Sequence, residues 1–222
     1  AAPDGWACWA FSNHDVTRHV TRWDLTPAAQ RALCTLMMCL RGSVCLYQGE
    51  ELGLPEAIIP FERLQDPWGI YLYPEWQGRD GCRTPMPWDN MIHNHGFSDP
   101  AITPWLPIPE SHANFSVSVQ EKSEDSILNS ARAMIECRQQ SKALRLGEIT
   151  FLPRPDDMKG LIYFKRHNEN ETVYCVFNLS DTEKIIDFPS DSNNQTSLIQ
   201  SNDVSFEKNG LKLPPFTFCL YK

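Results

Sequence analysis

The stretch Trp6-Ala7-Cys8-Trp9-Ala10-Phe11-Ser12-Asn13-His14-Asp15 decides how this chain is read. Its first six residues are apolar without alternation, the pattern of a strand covered on both faces, as in a parallel sheet. The next four are polar or ionisable. Downstream, Thr26 precedes Pro27, a capping residue followed by a first-turn proline. The helix they announce carries Leu33, Leu36, Met37 and Leu40 and stops at Gly42. A second apolar run, Ser43 to Tyr47, ends in Gln48-Gly49-Glu50-Glu51. Strand, helix and strand with short joints predict a βαβ unit, hence parallel neighbours and a right-handed crossover.

Residues 54–110 break that rhythm. They hold Pro55, Pro60, Pro67, Pro74, Pro85, Pro87, Trp68, Trp76 and Trp88, and we expect an irregular loop region there. A helix is predicted over about Ser123 to Ala143, where Ile127, Leu128, Ala131, Met134 and Ile135 share one face. After Gly147 the pattern changes to short strand-like runs: Ile149–Leu152, Leu161–Arg166, Thr172–Leu179, Lys184–Phe188, Thr196–Ile199, Val204–Phe206 and Phe216–Tyr221. Turn-forming residues separate them, as in Arg166–Asn170 and Ser190–Asn194, and the spacing predicts an antiparallel sandwich. We place a domain boundary near residue 147, with residues 1–147 on one side and 148–222 on the other.

The bulk properties narrow the function. The chain has 222 residues, enough for one or two domains. A net charge of -8 argues against a nucleic-acid partner, because phosphate binding needs clustered Lys and Arg. No run of roughly 18 apolar residues exists, so no membrane partner is expected. Ala1 is not a methionine and no signal-peptide pattern is present, so the natural start is expected to lie upstream. The eight cysteines show neither a CxxC pair nor zinc spacing. We expect them reduced and mostly buried, which favours the cytoplasm. The sequons at Asn114, Asn170, Asn178 and Asn194 do not overturn that expectation.

Chemistry concentrates where the first strand ends, in Asn13-His14-Asp15 with Arg18 three residues later. The C-terminal ends of strands form the active face of an α/β barrel, which would aim His14 and Asp15 into a pocket. The plainer reading is that Asn13 and Asp15 only stabilise the next turn. Glu50 and Glu51 follow the second strand, and structural hydrogen bonding is the reading we favour for them. For Trp68, Trp76 and Trp88, packing is favoured over stacking on sugar rings. His93 and His95 lack a third ligand at a suggestive spacing, so no metal is expected.

Three segments in order carry a resemblance. Asn13-His14-Asp15 with Arg18 resembles the fourth conserved region of the α-amylase superfamily. Leu46-Tyr47-Gln48-Gly49-Glu50-Glu51-Leu52-Gly53 resembles the end of that family's eighth barrel strand. Arg79-Asp80-Gly81-Cys82-Arg83-Thr84-Pro85-Met86-Pro87-Trp88-Asp89 resembles the RTPM segment of its α-glucosidase and oligo-1,6-glucosidase branch. Pro104-Trp105-Leu106-Pro107 and Ala143-Leu144-Arg145 fit the same branch, and the likeness runs over about residues 6–180. Thr17 stands where many relatives carry proline.

The resemblance implies an α/β fold: the C-terminal part of a (β/α)8 barrel, with strands seven and eight and their helices in residues 1–147, followed by an all-β antiparallel sandwich in residues 148–222. It implies that Asp15 is the catalytic carboxylate that holds sugar hydroxyls and stabilises the transition state. His14 would hydrogen-bond the same ring, Arg83 would help close the pocket around the non-reducing end, and Asn13 and Arg18 would support them. An oxocarbenium-like transition state gains from nearby negative charge, which suits the assignment. The family's nucleophilic Asp and its Glu acid/base lie on earlier strands, so we expect this chain to be a fragment that is inactive alone. The parent would be a retaining α-glucosidase acting on small oligosaccharides without a cofactor. Oligo-1,6-glucosidase, sucrose hydrolase and transglucosidase activities use the same scaffold, and linkage choice is set near the absent nucleophile. Two readings of another class are a non-catalytic interaction module, disfavoured by the intact His14-Asp15 pair, and carbohydrate binding by the sandwich alone. Nothing in the sequence speaks to oligomeric state.

Overall fold

The computed structural model describes residues 5–188, 195–208 and 210–222. The sequon at Asn194 and the whole turn at Ser190–Asn194 lie outside them. Two compact units are present, each discontinuous in sequence. One comprises residues 1–9, 28–44 and 131–222; the other comprises residues 10–27 and 45–130.

In the first unit, β1 (Cys8–Trp9) pairs parallel with β2 (Ser43–Val44), Cys8 opposite Ser43 and Trp9 opposite Val44. The parallel pairing is as expected, but the burial is not. The ladder is two residues long, and no third strand joins it among the described residues. Trp6 is therefore 45% exposed and Trp9 39%, and Cys8 and Cys45 are exposed as well. The other cysteines follow expectation more closely: all eight are free, Cys34, Cys39, Cys82, Cys175 and Cys219 are buried, and Cys137 is half-buried.

Between the two strands in sequence run α1 (His19–Arg22) and α2 (Pro27–Cys39). The end of α2 leaves carbonyls without intrahelical donors. Two arginines from distant positions supply them. Arg166, fully buried, donates from Nη1 to the carbonyls of Cys39 (2.6 Å) and Leu40 (3.0 Å) and from Nη2 to that of Gly147 (2.9 Å). Arg138 donates to the carbonyls of Met38, Gly42 and Leu144. Positive charge at a helix C-terminus also complements the helix dipole.

In the second unit, α3 (Pro67–Leu72) and α4 (Val117–Gln120) are short, and single helical turns occur at Glu50–Leu52, Phe61–Arg63, Asp80–Cys82, His93–Gly96 and Glu110–Phe115. The irregular character expected for residues 54–110 is observed. Trp68, Trp76 and Trp88 are exposed, against the packing reading, because the small cores of this unit are filled by residues such as Leu52, Leu54, Ala57, Ile59, Leu64 and Leu106. Gln120 stitches three loops together: its Nε2 donates to the carbonyls of Leu52 (2.7 Å) and Phe115 (3.1 Å), and its Oε1 accepts from Leu128 N.

The helix expected over 123–143 is two helices, α5 (Ile127–Gln140) and α6 (Lys142–Leu146). Ser141 breaks them by capping α6, its Oγ accepting from Leu144 N at 3.1 Å, while Glu171 accepts from Ser141 Oγ and Ala143 N. Ile127, Leu128, Ala131 and Met134 are buried, whereas Ile135 is 38% exposed.

The remaining strands are β3 (Glu148–Phe151), β4 (Leu161–His167), β5 (Thr172–Asn178), β6 (Lys184–Asp187), β7 (Ser197–Gln200), β8 (Ser205–Phe206), β9 (Gly210–Leu213) and β10 (Thr217–Tyr221). They form two antiparallel sheets, ordered β3-β4-β5-β10-β7 and β6-β9-β8. Strand β9 was not foreseen, since Gly210 reads as a turn residue and only Leu211 and Leu213 alternate. Both leucines are fully buried and share one core with Tyr163, Tyr174, Val176 and Ile186 from both sheets. The sequon residue Asn178 is buried, its Nδ2 donating to the carbonyls of Thr182, Leu213 and Pro214. Among the described residues no helix is long and apolar enough to cross a membrane.

Replacing Arg166 by Met should leave the buried carbonyls of Cys39 and Gly147 and the part-buried ones of Leu40 and Glu148 short of donors. Unsatisfied buried groups cost about 1–3 kcal/mol each, and partial relaxation should bring the total to about 3 kcal/mol. Chemical denaturation should show a lower midpoint with an unchanged slope.

Candidate active site

The site grows from a turn. The Asn13 side-chain oxygen accepts from Asp15 N at 2.8 Å, the local bond that Asn makes in such turns. That turn presents the side chains of His14 and Asp15, 68% and 51% exposed. His14 Nε2 lies 3.4 Å from Asp15 Oδ2. Asp15 does more than stabilise the turn, because two arginines from the RTPM region converge on its Oδ1: Arg79 Nη1 at 3.0 Å and Arg83 Nη2 at 3.1 Å. Arg83 also donates from Nε to the His14 carbonyl at 2.8 Å. The bond from Arg79, aided by the charges of His14, Arg79 and Arg83, holds the Asp15 carboxyl below its ordinary range.

Arg79 is gripped from its other side. Its Nε donates to Asp66 Oδ2 (2.8 Å) and its Nη2 to Asp66 Oδ1 (3.1 Å), a two-point pairing. The Asp66 side chain is fully buried and also accepts from Arg79 N and Trp68 N, the latter capping α3. Asp80, buried as well, accepts from Gln65 N and Asp66 N. The Arg79 guanidinium pulls the Asp66 carboxyl down to about 2.

Arg18 lies beneath the turn rather than beside Asp15. It is buried, donating to the carbonyls of Gln48 (2.7 Å) and Cys82 (3.0 Å), with its guanidinium over the Tyr47 ring. Gly49 has φ +87°, and a Cβ there would stand 2.6 Å from Arg18 Nη1, so this turn needs glycine to admit the arginine. Burial lowers the Arg18 pKa. Glu50 is buried and structural in its contacts: Oε2 accepts from Tyr47 N and Oε1 lies 3.0 Å from His19 Nδ1. Burial raises the Glu51 carboxyl.

The structure therefore brings Asn13, His14, Asp15 and Arg83 together and sets Arg18 below them. Sequence reading missed Arg79 and Asp66. Arg79 opens the segment matched to the α-glucosidase branch, which was a usable signal; Asp66 looks like an ordinary helix cap before Pro67. As a cluster, these groups offer an ionised acceptor oxygen beside a histidine on an exposed turn, suited to holding a hydroxyl-bearing ligand.

The family model described as "Alpha amylase, catalytic domain" matches residues 1–147, and the chain belongs to that α-amylase family. A "Probable alpha-glucosidase" of Rhizobium meliloti (strain 1021) is 49% identical over 193 residues, which cover 85% of this chain and 34% of that protein. The oligo-1,6-glucosidase of Heyndrickxia coagulans is 30% identical over 213 residues, covering 86% of this chain and 38% of that protein. Among solved structures, the α-glucosyl transfer enzyme XgtA matches with a TM-score of 0.81 at 39% identity, over 98% of this chain and 41% of that one. The trehalose-6-phosphate hydrolase of Bacillus licheniformis gives 0.82 at 24% identity, covering 98% and 43%, a likeness of fold alone. Helices combined with antiparallel sheets are common to this chain and these structures. The chain spans 34–38% of the length of the two curated relatives.

Asp66 has a folded-state pKa of about 2, below the value of about 3.9 for an unfolded chain. A depressed carboxylate contributes stability that is complete above the unfolded value and lost as pH falls through the folded one. Denaturation midpoints should thus decline between about pH 4 and about pH 2, and Asp66→Asn should flatten that part of the profile.

Proposed function

We propose that this chain is part of a retaining α-glucosidase that removes terminal α-linked glucose from small oligosaccharides. The observation that carries the reading is the Asp15 carboxylate, held ionised by Arg79 and Arg83 beside His14. Asp15 would accept hydrogen bonds from sugar hydroxyls that strengthen as positive charge develops on the ring. His14 would bond the same ring, Arg83 would fix the turn that carries both, and Asn13 and Arg18 would support it. Retaining hydrolysis also needs a nucleophile and an acid/base about 5–5.5 Å apart. We assign these to a longer protein, of which this chain is a fragment inactive alone; the share of the relatives' length that it spans supports that view. Residues 1–147, the extent of the family match, would be the C-terminal part of the (β/α)8 barrel with strands seven and eight, and residues 148–222 an antiparallel sandwich. Eight free cysteines support a cytoplasmic location.

A second reading has its own support. The 39%-identical structure is described as an α-glucosyl transfer enzyme. Transfer and hydrolysis differ in whether a sugar or a water receives the glucosyl group, and one scaffold can serve both.

The longer protein should release p-nitrophenol from p-nitrophenyl α-D-glucoside, and Asp15→Asn should lower kcat roughly 10²–10³-fold, the usual loss for one transition-state contact. The 222-residue chain alone should show no turnover. Turnover by that chain, abolished by Asp15→Asn, would place the whole catalytic apparatus within it and refute the fragment reading.

A further inference from the structure

We propose that Asp66 is a positioning residue for the sugar-binding carboxylate: it grips the Arg79 guanidinium so that this side chain occupies one oxygen of Asp15 and leaves the other to the substrate. The inference rests on the assignment of Asp15 to sugar binding.

The constraint comes from the shape of arginine. Its guanidinium is planar, with donors in fixed directions. Asp66 takes Nε and Nη2, two in-plane donors along one edge of the group, and so fixes it in position and rotation. Nη1 is then aimed at Asp15 Oδ1, 3.0 Å away. One side chain thereby spans a fully buried carboxylate and a half-exposed one. Lysine keeps the charge but cannot fill three fixed directions across two carboxylates.

Asp66 is itself anchored. Its backbone N–H is held by Asp80, and its carboxylate accepts from Arg79 N and Trp68 N. Gly78, at φ +71°, presses against it, so that a Cβ there would stand 2.8 Å from Asp66 Oδ2. The result is an asymmetric Asp15. Its Oδ1 receives Arg79 Nη1 and Arg83 Nη2, while its Oδ2 has His14 Nε2 at 3.4 Å. The structure assigns Oδ2 as the oxygen that meets the sugar hydroxyl. Asp66 does not touch substrate in this scheme; it acts through Arg79.

The test uses two variants, Arg79→Lys and Asp66→Asn, and two readouts. One is kcat and KM of the longer protein on p-nitrophenyl α-D-glucoside. The other is the carbon-13 titration of the Asp15 carboxyl in this chain, identified by its loss in Asp15→Asn. The charged and titratable groups facing that carboxyl are Arg79, Arg83 and His14. Each variant should lower kcat roughly 10–10²-fold, the scale of a small misplacement, with a smaller change in KM. Each should also move the Asp15 midpoint up. Should Asp66→Asn fail to fold, Arg79→Lys decides alone, because it keeps the charge at a side chain that is already partly exposed. Folded Arg79→Lys with wild-type kcat and an unmoved Asp15 midpoint overturns the proposal. So does a loss of stability in both variants without change in either readout, which would reduce Asp66 to a loop closure. A shifted midpoint in both variants of this chain, together with no α-glucoside turnover by the longer wild-type protein, supports the clamp and overturns the functional reading.

Discussion

Every buried peptide group needs a hydrogen-bond partner, and the loop-rich unit of this protein cannot meet that need with regular ladders. Residues 10–27 and 45–130 contain short helices and no strand among those described. Side chains take the place of the missing ladders. Arg18 answers the carbonyls of Gln48 and Cys82, Gln120 answers those of Leu52 and Phe115, and Asp80 answers the N–H groups of Gln65 and Asp66. A loop organised this way is fixed by a few polar residues rather than by a large apolar core. The same solution ends α2 in the other unit, where Arg166 and Arg138 take up terminal carbonyls.

The site is the outward end of this polar frame. Asp80 holds Asp66, Asp66 holds Arg79, and Arg79 reaches an exposed Asp15. Burial falls along that series: the first link is a backbone N–H held by a carboxylate, and the next two are charge pairs. Asp15 is the most exposed member of the series, so the rigidity of its side chain comes from the more buried residues behind it. This division between buried support and exposed chemistry explains how a half-exposed turn can hold a defined geometry.

Local features of this plan were legible in the sequence. The change from Phe11 to Asn13-His14-Asp15 occurs within a few residues, and the match to Arg79–Asp89 placed Arg83 in the same site. Features that depend on chain closure were not. Asp66 before Pro67 does cap a helix, but its second task needs Arg79, thirteen positions on, to fold back upon it. The run Trp6–Phe11 looked buried because composition cannot say which neighbours cover a strand; here the ladder is two residues long. Ser141 interrupted an otherwise good helical face because its hydroxyl found Leu144 N and the distant Glu171. Strand β9 is visible only through the depth at which Leu211 and Leu213 sit.

The four charged groups at the site also have a collective property. Asp66 and Asp15 contribute two negative charges, Arg79 and Arg83 two positive ones, and the pairs alternate in contact. The quartet is therefore electrically balanced and projects little field beyond its immediate surroundings. Under the proposed function, an uncharged sugar would meet directed hydrogen bonds without long-range attraction from the quartet, and an anionic sugar would gain nothing from its net charge. Ionic screening, which weakens recognition built on unbalanced surface charge, has little to act upon within the quartet itself.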